Sequence, residues 1–337
     1  MLTILLALFA FTIISAIGNA IILWGLARLL KVPQPRIKSA FVVAGIYPVI
    51  SVIVVSSLYL TYEHSHLIAS SLFLVGILAS MILPLFAIRY LFAAKWGRSI
   101  AVYLSWGVCG SLFSLVITLG LRATALEAFV VPTSAMAPTI AGFHRLGTCP
   151  RCGEAMMVST PLDQDGQPMT ENKEGICVAC WRFGKANELS SETSSGDRII
   201  TNKLLHPKRW DIVTYYPPDA PAVLYVHRIV GLPGESILVK SGQLWVDGVA
   251  QSPPPAWEKL VYAGMQEMEE QVGMSYGLEW GVDGKPCQLA SDECFILGDN
   301  TLRSSDSCFF GPVKMDQITG VVTMRYWPPS RVGSLRH

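Results

Sequence analysis

Acidic side chains are almost missing from the first 130 residues, which contain Glu63 and Glu127 and no aspartate. Charge is scarce throughout: Asp, Glu, Lys and Arg make up 15% of the 337 residues, against about 25% in an ordinary globular protein. With 51% hydrophobic residues, this excludes a typical soluble enzyme. A net charge of +1 and the lack of a concentrated basic tract give phosphate backbones nothing to bind, so no nucleic-acid partner is expected. No internal repeat is present, which excludes a solenoid or propeller.

The charge that remains is unevenly placed. Residues 1–130 carry eight basic side chains (Arg28, Lys31, Arg36, Lys38, Arg89, Lys95, Arg98 and Arg122), leaving 18 basic and 23 acidic residues in the rest. The near-neutral total therefore hides a basic, apolar half and a slightly acidic half. Four apolar runs, about Leu2 to Leu26, Ser39 to Tyr62, Leu67 to Phe92 and Ile100 to Leu121, reach the ~20 residues a helix needs to cross a bilayer. They predict a four-helix transmembrane domain over residues 1–122 with the lipid bilayer as partner. The first run lacks a basic leader and is too long for a cleaved signal peptide, so it reads as a span.

Loop charge predicts the orientation. The first connection (Arg28, Lys31, Arg36, Lys38) and the third (Arg89, Lys95, Arg98) are basic, whereas the second, residues 62–66, has no Lys or Arg. The basic connections face the cytoplasm, both chain ends lie outside, and residues from about 123 form an extracytoplasmic domain of a multi-pass protein in the cell membrane.

Beyond residue 130 the texture changes to short β-branched and aromatic runs broken by Gly, Pro and Asp, the pattern of a mainly antiparallel β-domain. Strands are predicted at Arg198 to Asn202, Asp211 to Tyr216, Val223 to Val230, Ser236 to Lys240, Gln243 to Val246, Cys294 to Leu297 and Gly320 to Tyr326, with turns at 232–235 and 246–248. Two segments, 141–195 and 250–290, read as insertions, so the β-domain comprises 123–140 and 196–337.

The first insertion holds Cys149-Pro-Arg-Cys152 and Cys177-Val-Ala-Cys180. Two such pairs at this separation have zinc-ribbon spacing, and Gly153 and Gly184 follow the second and fourth cysteines where knuckle turns call for glycine. Structural Zn2+ on Cys149, Cys152, Cys177 and Cys180 is the leading reading. Two disulfides are the rival, given an oxidising location. Cys109, Cys287, Cys294 and Cys308 show no pair spacing.

Four ordered blocks carry the chemistry. Residues 131–139 read Val-Pro-Thr-Ser-Ala-Met-Ala-Pro-Thr; Gly196 to Lys203 follow the cysteine insertion; Tyr225 to Glu235 contain His227-Arg228; and Gly298-Asp299-Asn300 precede Ser304-Ser305-Asp306-Ser307 and Gly311. The first resembles the Pro-Ser-x-Ser-Met-x-Pro-Thr signature of type I signal peptidases, membrane-bound serine endopeptidases that cut signal peptides from exported preproteins. The other three resemble that family's later blocks in order and spacing. Together they span the extracytoplasmic half apart from the insertions.

The resemblance implies a divergent signal peptidase with alanine where the nucleophilic serine stands. Ala135 takes the nucleophile position, His227 that of the general base, Asp306 orients the base, Ser304 supports it, and Thr133 Oγ with the Ala135 N–H forms the oxyanion hole. An alcohol needs such a base to attack an amide at neutral pH, and histidine needs a partner to fix its tautomer. Lys203 and Lys208 read as solvated charges rather than alternative bases. A methyl group cannot attack. The alanine fits a natural departure or an engineered replacement, and Ser134 is a third, weaker candidate for the attacking group. The implied function is signal-peptide processing of preproteins, with no cofactor for catalysis. The alternatives are an inactive relative that binds signal peptides or membrane-protein segments without cutting, beside an active paralogue, and a membrane-anchored structural or sensing protein.

Overall fold

Two units make up the chain, Met1–Ala123 and Thr124–His337; the computed structural model describes residues 2–61, 66–160, 173–262 and 278–336. The first unit holds helices α1 (Leu2–Leu29), α2 (Ile37–Thr61), α3 (His66–Leu91) and α4 (Trp96–Thr124). Their apolar residues run around the whole circumference, the pattern of helices that do not face water on any side. Among the described residues, Thr12–Leu29, Phe73–Leu91 and Trp96–Thr124 are long and apolar enough to cross a membrane, and α2 contributes the shorter apolar stretch Ile37–Ile50.

Packing inside this unit relies on small residues. Ala20, Leu23, Ala27, Ala40, Val43 and Ala44 are buried with Ile88, Phe92 and Val102, while Leu74, Leu78, Leu104, Val108 and Val116 point outward. The first and third connections meet at one end: Arg98 Nη1 donates to Lys31 O at 2.8 Å, and the Gln34 N–H donates to Phe92 O at 3.3 Å. Residues 62–65 of the second connection lie outside the described residues.

In the second unit the chain leaves α4 and enters β1 (Leu126–Val130), a strand the sequence reading did not anticipate. The ribbon segment follows as β2 (His144–Thr148), β3 (Ala155–Ser159), β4 (Glu174–Cys177), β5 (Phe183–Lys185) and β6 (Thr193–Ser194). The main body then comprises β7 (Arg198–Asn202), β8 (Ile212–Tyr215), β9 (Tyr225–Gly231), β10 (Ser236–Lys240), β11 (Gln243–Val246), β12 (Val249–Gln251), β13 (Cys287–Gln288), β14 (Glu293–Leu297), the one-turn helix α5 (Ser307–Phe310), β15 (Val313–Lys314), β16 (Ile318–Trp327) and β17 (Gly333–Ser334). All seven strands expected from sequence are present within a residue or two of their predicted bounds.

These strands form a β1-β7-β16-β8-β9-β14-β15 sheet with β17 on β16, a β12-β11-β10-β13 sheet and the ribbon's β5-β4-β3-β2-β6 sheet. Pairing is antiparallel throughout the named strands. The β11–β12 hairpin turns through Asp247 and Gly248, at φ 49° and 77°, the two left-handed positions that a tight hairpin matching strand twist requires. The stretch expected as a second insertion contributes to the core: Trp257, Leu260, Tyr262, Leu278, Val282 and Leu289 are buried with Val239 and Phe295. The acidic run at 265–270 lies outside the described residues.

Candidate active site

Residues 132–141 form a turn-rich loop held by its own apolar plugs. Met136 and Ile140 sit in the core with Val131, Ile199, Ile212 and Val322, and the Ala137 and Ile140 N–H groups donate to Ser134 O at 3.1 Å and Met136 O at 2.8 Å. Once Met136 points inward, its neighbour Ala135 is left half-buried and Thr133 exposed. From Met136 to Ile140 the signature is buried without a break, and the less buried positions are Pro132, Thr133 and Ala135.

Charged groups clamp this loop from two directions. Asp197 accepts from the Ala141 N–H at 2.8 Å and from Arg331 Nη2 at 2.9 Å, and the same guanidinium nitrogen reaches Pro138 O at 3.1 Å. On the other side Asn300 donates its N–H to Ala135 O at 2.9 Å and its Nδ2 to Ser134 O at 3.0 Å. Asp299 accepts from Thr139 Oγ1 at 2.5 Å and takes a two-pronged bond from Arg228, Nε to Oδ1 at 2.8 Å and Nη2 to Oδ2 at 2.7 Å. Arg228 is fully buried. Its remaining needs are met by Trp210 O at 2.7 Å and by the Trp257 ring 4.0 Å from the guanidinium carbon, the pairing a buried cation requires.

Glycine is needed at 298 because a Cβ there would lie 2.3 Å from Ser304 Oγ and 2.7 Å from Ala135 O. The Ser304 hydroxyl and the Ala135 backbone thus face each other across that glycine. Beyond Ser304 is His227, on β9 and 2% exposed. Its Nε2 lies 3.2 Å from Ser304 Oγ and its Nδ1 2.7 Å from the Tyr215 hydroxyl. Burial pushes the imidazole down to about 3, so it is neutral at physiological pH. Burial also raises the Tyr215 phenol well above its usual value, so Tyr215 keeps its proton.

Asp306 differs from the expectation of a direct partner to His227. Its carboxylate accepts from the Gly298 N–H at 3.0 Å and the Cys308 N–H at 3.1 Å, capping α5, and it bonds the Ser304 hydroxyl. It reaches the imidazole through Ser304, because both ring nitrogens are already taken. Burial raises Asp306 to about 6, opposed by its bonds to the Gly298 N–H and Ser304. Tyr215, His227 and Ser304 thus form one hydrogen-bonded chain through the two ring nitrogens, with Asp306 next to Ser304. Tyr215 is the site residue that sequence reasoning missed. Its one signal was its place on the predicted strand antiparallel to the histidine strand.

The remaining candidates fall as follows. Ser134 Oγ is buried and, among the described residues, has no hydrogen-bond partner, so it is not paired with the imidazole. The Ala135 N–H takes part in no hydrogen bond among the described residues. Lys203 is ion-paired to Glu127 at 2.8 Å.

The four ribbon cysteines converge, with sulfurs all within 4.8 Å of one another. Cys149 and Cys180 are 4.0 Å apart and Cys152 and Cys177 3.5 Å, too far for S–S bonds at about 2 Å. Tetrahedral ligands at about 2.3 Å from a zinc ion stand just under 4 Å apart. The cluster could therefore bind a metal ion. Each pair sits on a turn: the Gly153 N–H donates to Cys149 O at 2.9 Å and the Trp181 N–H to Cys177 O at 3.0 Å. Gly153 takes φ 77°, as expected, but the second turn uses Trp181 at φ 55°, and Gly184 lies in β5. N–H groups of Arg151 and Cys152 lower the Cys149 thiol to about 7.

A family model described as signal peptidase, peptidase S26, matches residues 182–327. Signal peptidase I of Leptolyngbya laminosa is 30% identical over 170 residues, 47% of this chain and 73% of that protein. Signal peptidase I of Bacillus caldolyticus is 36% identical over 141 residues, 40% of this chain and 71% of that protein. A solved signal peptidase I from Enterococcus faecalis V583 aligns over 36% of this chain and 99% of its own, at 25% identity and a TM-score of 0.26. With two relatives at or above 30% identity over more than two thirds of their lengths, the chain belongs to the type I signal peptidase family of peptidase S26.

Proposed function

We propose that this chain is a multi-pass membrane protein of the signal-peptide-processing apparatus that receives a preprotein segment at its extracytoplasmic site and, as written, holds it without cutting. The observation that carries this is Ala135, a methyl group at the one position where the family's attacking oxygen belongs. Around it the machinery persists. His227 takes the base position, fixed by Tyr215 and Ser304, with Asp306 behind Ser304. The unengaged Ala135 N–H and the exposed Thr133 suit an oxyanion hole, where a donor stabilises developing charge by about 3 kcal/mol.

Four helices, 1–122, anchor the β-domain, comprising 123–140 and 196–337, and the basic connections face the cytoplasm. The meeting of the first and third connections at one end fits that arrangement. Four thiolates from two knuckles hold a structural Zn2+, supported by their mutual distances and by the Cys180 N–H that donates to Cys177 Sγ at 3.5 Å. A closed four-thiolate site leaves no position for water, so the ion shapes the ribbon and takes no part in hydrolysis.

The test is a cleavage assay of a preprotein in detergent with the chain as written and with Ala135→Ser. Cleavage by the serine form alone is expected. Cleavage by both would overturn the non-cutting reading and transfer the nucleophile elsewhere; cleavage by neither, without preprotein binding, would sink the peptidase-site reading.

A further inference from the structure

We propose that the cysteine ribbon braces the loop that carries Ala135, so that occupancy of the thiolate site is transmitted to the nucleophile and oxyanion positions. This rests on the reading of 131–139 and 298–306 as the peptidase site and of the four cysteines as metal ligands.

The ribbon leaves and rejoins the body at the site itself. The Ala141 N–H bonds the Asp197 carboxylate at 2.8 Å, and the Asp197 N–H returns to Ala141 O at 2.7 Å, closing the stem. Just inside that stem, Ala137 and Ala141 of the loop are buried against Met157 of β3 and Ile176 of β4. The back of the loop thus packs on one face of the ribbon sheet, opposite the face that buries Cys149, Met156, Val158 and Cys177, and Ile176 is the residue before the metal-site Cys177.

A second arm reaches the other loop of the site. Glu174 on β4 pairs with Arg303 at 2.5 Å, and the Arg303 guanidinium carbon lies 5.6 Å from the Phe183 ring centre. The Arg303 N–H bonds Asn300 O at 2.9 Å, and Asn300 in turn holds Ala135 O at 2.9 Å. Strand β4 therefore touches both walls of the site, one through Ile176 and one through Glu174, and ends at a cysteine of the cluster. Lys259 Nζ, donating to Ala179 O at 2.8 Å, ties the second knuckle to the body.

A short strand whose end is a metal ligand loses its register when the ligand is freed, because binding energy at such a site is folding energy. Releasing β4 removes Ile176 from behind Ala137 and Glu174 from Arg303 together. Glu174, Ile176 and Arg303 are then positioning residues: they touch no reacting atom and act through the loops.

Amide hydrogen exchange on the full-length protein in detergent tests the brace, before and after zinc chelation and after zinc is restored. The expected result is at least about tenfold faster exchange in 134–142 and 298–304, reversed by zinc, with β8 and β16 unchanged. Acceleration confined to 143–195 overturns the proposal. Glu174→Arg and Arg303→Glu should each speed exchange in 298–304 by about threefold, and combining them should restore it; failure of the combination to restore it removes the ion pair from the route. In the Ala135→Ser form, chelation should lower kcat about tenfold with KM changed less than about twofold, since misplacing a reacting group costs rate more than binding. If that form neither cleaves nor binds the preprotein, the peptidase reading falls while the exchange data still decide the brace.

Discussion

The two clusters of reactive side chains beside the 131–141 loop are built in opposite ways. The cysteine cluster draws all four members from residues 149–180 and from two local turns. The histidine site gathers Ala135, Tyr215, His227 and Ser304 from four separate segments, joined by β8–β9 pairing and by the loops around Gly298. A locally built cluster is held by its own ligands, so losing one undoes it. A site assembled by long-range pairing is held by contacts outside any one of its atoms, so it should keep its framework when a single atom is removed.

The sharpest way to break this comparison is to restore the missing atom and then remove its neighbours. In the Ala135→Ser form, His227→Asn should reduce cleavage by about 10³-fold or more, whereas Tyr215→Phe, which keeps the ring and loses only the bond to Nδ1, should cost about tenfold. Single-turnover cleavage rates check both; equal effects would mean that Tyr215 does more than orient the ring.

Framework persistence should fail where the charge is buried. Asp299→Asn leaves Arg228 without its counter-ion and should destabilise the β unit by about 3–5 kcal/mol, read from unfolding in detergent. By contrast Cys177→Ser should abolish stoichiometric zinc, measured by metal analysis, while shifting the main sheet's unfolding by less than about 1 kcal/mol. A collapse of the main sheet in that variant would erase the distinction between the two clusters.

Acid titration gives a smaller effect of definite sign. His227, depressed to about 3 from an ordinary 6.5, stabilises the fold fully above 6.5 and loses that contribution as pH falls. Asp306, raised to about 6 from 3.8, stabilises it fully below 3.8 and loses that contribution as pH rises through 6. The two oppose each other between about pH 4 and 6. Asp306→Asn leaves the histidine unopposed, so relative to the unaltered chain its stability should fall by about 1.4 kcal/mol per pH unit on acidification across that window. A flat difference would show that the two groups do not titrate in the fold as their burial implies.

Much of this architecture was legible. Seven strands, the apolar helices and the cysteine pairs rest on local patterns: alternation, run length and spacing. Four ordered blocks also located the family. Asp306 as a direct partner to the imidazole was not upheld, because its carboxylate is consumed in capping α5 and in bonding Gly298 and Ser304. Strand β1 was missed because Leu126–Val130 follows directly on an apolar helix and carries no turn residue before it.

By itself the sequence determined where the chain is apolar, where it turns, which thiols are paired by spacing and that residue 135 has no oxygen to attack with. These are properties of side chains within one or two turns of backbone. Only the tertiary structure decided that Tyr215 faces His227, that Trp181 rather than Gly184 closes the second knuckle, and that the ribbon packs behind Ala137. Each depends on which strand pairs with which and which apolar faces meet. Those contacts join segments tens of residues apart, so no local pattern encodes them.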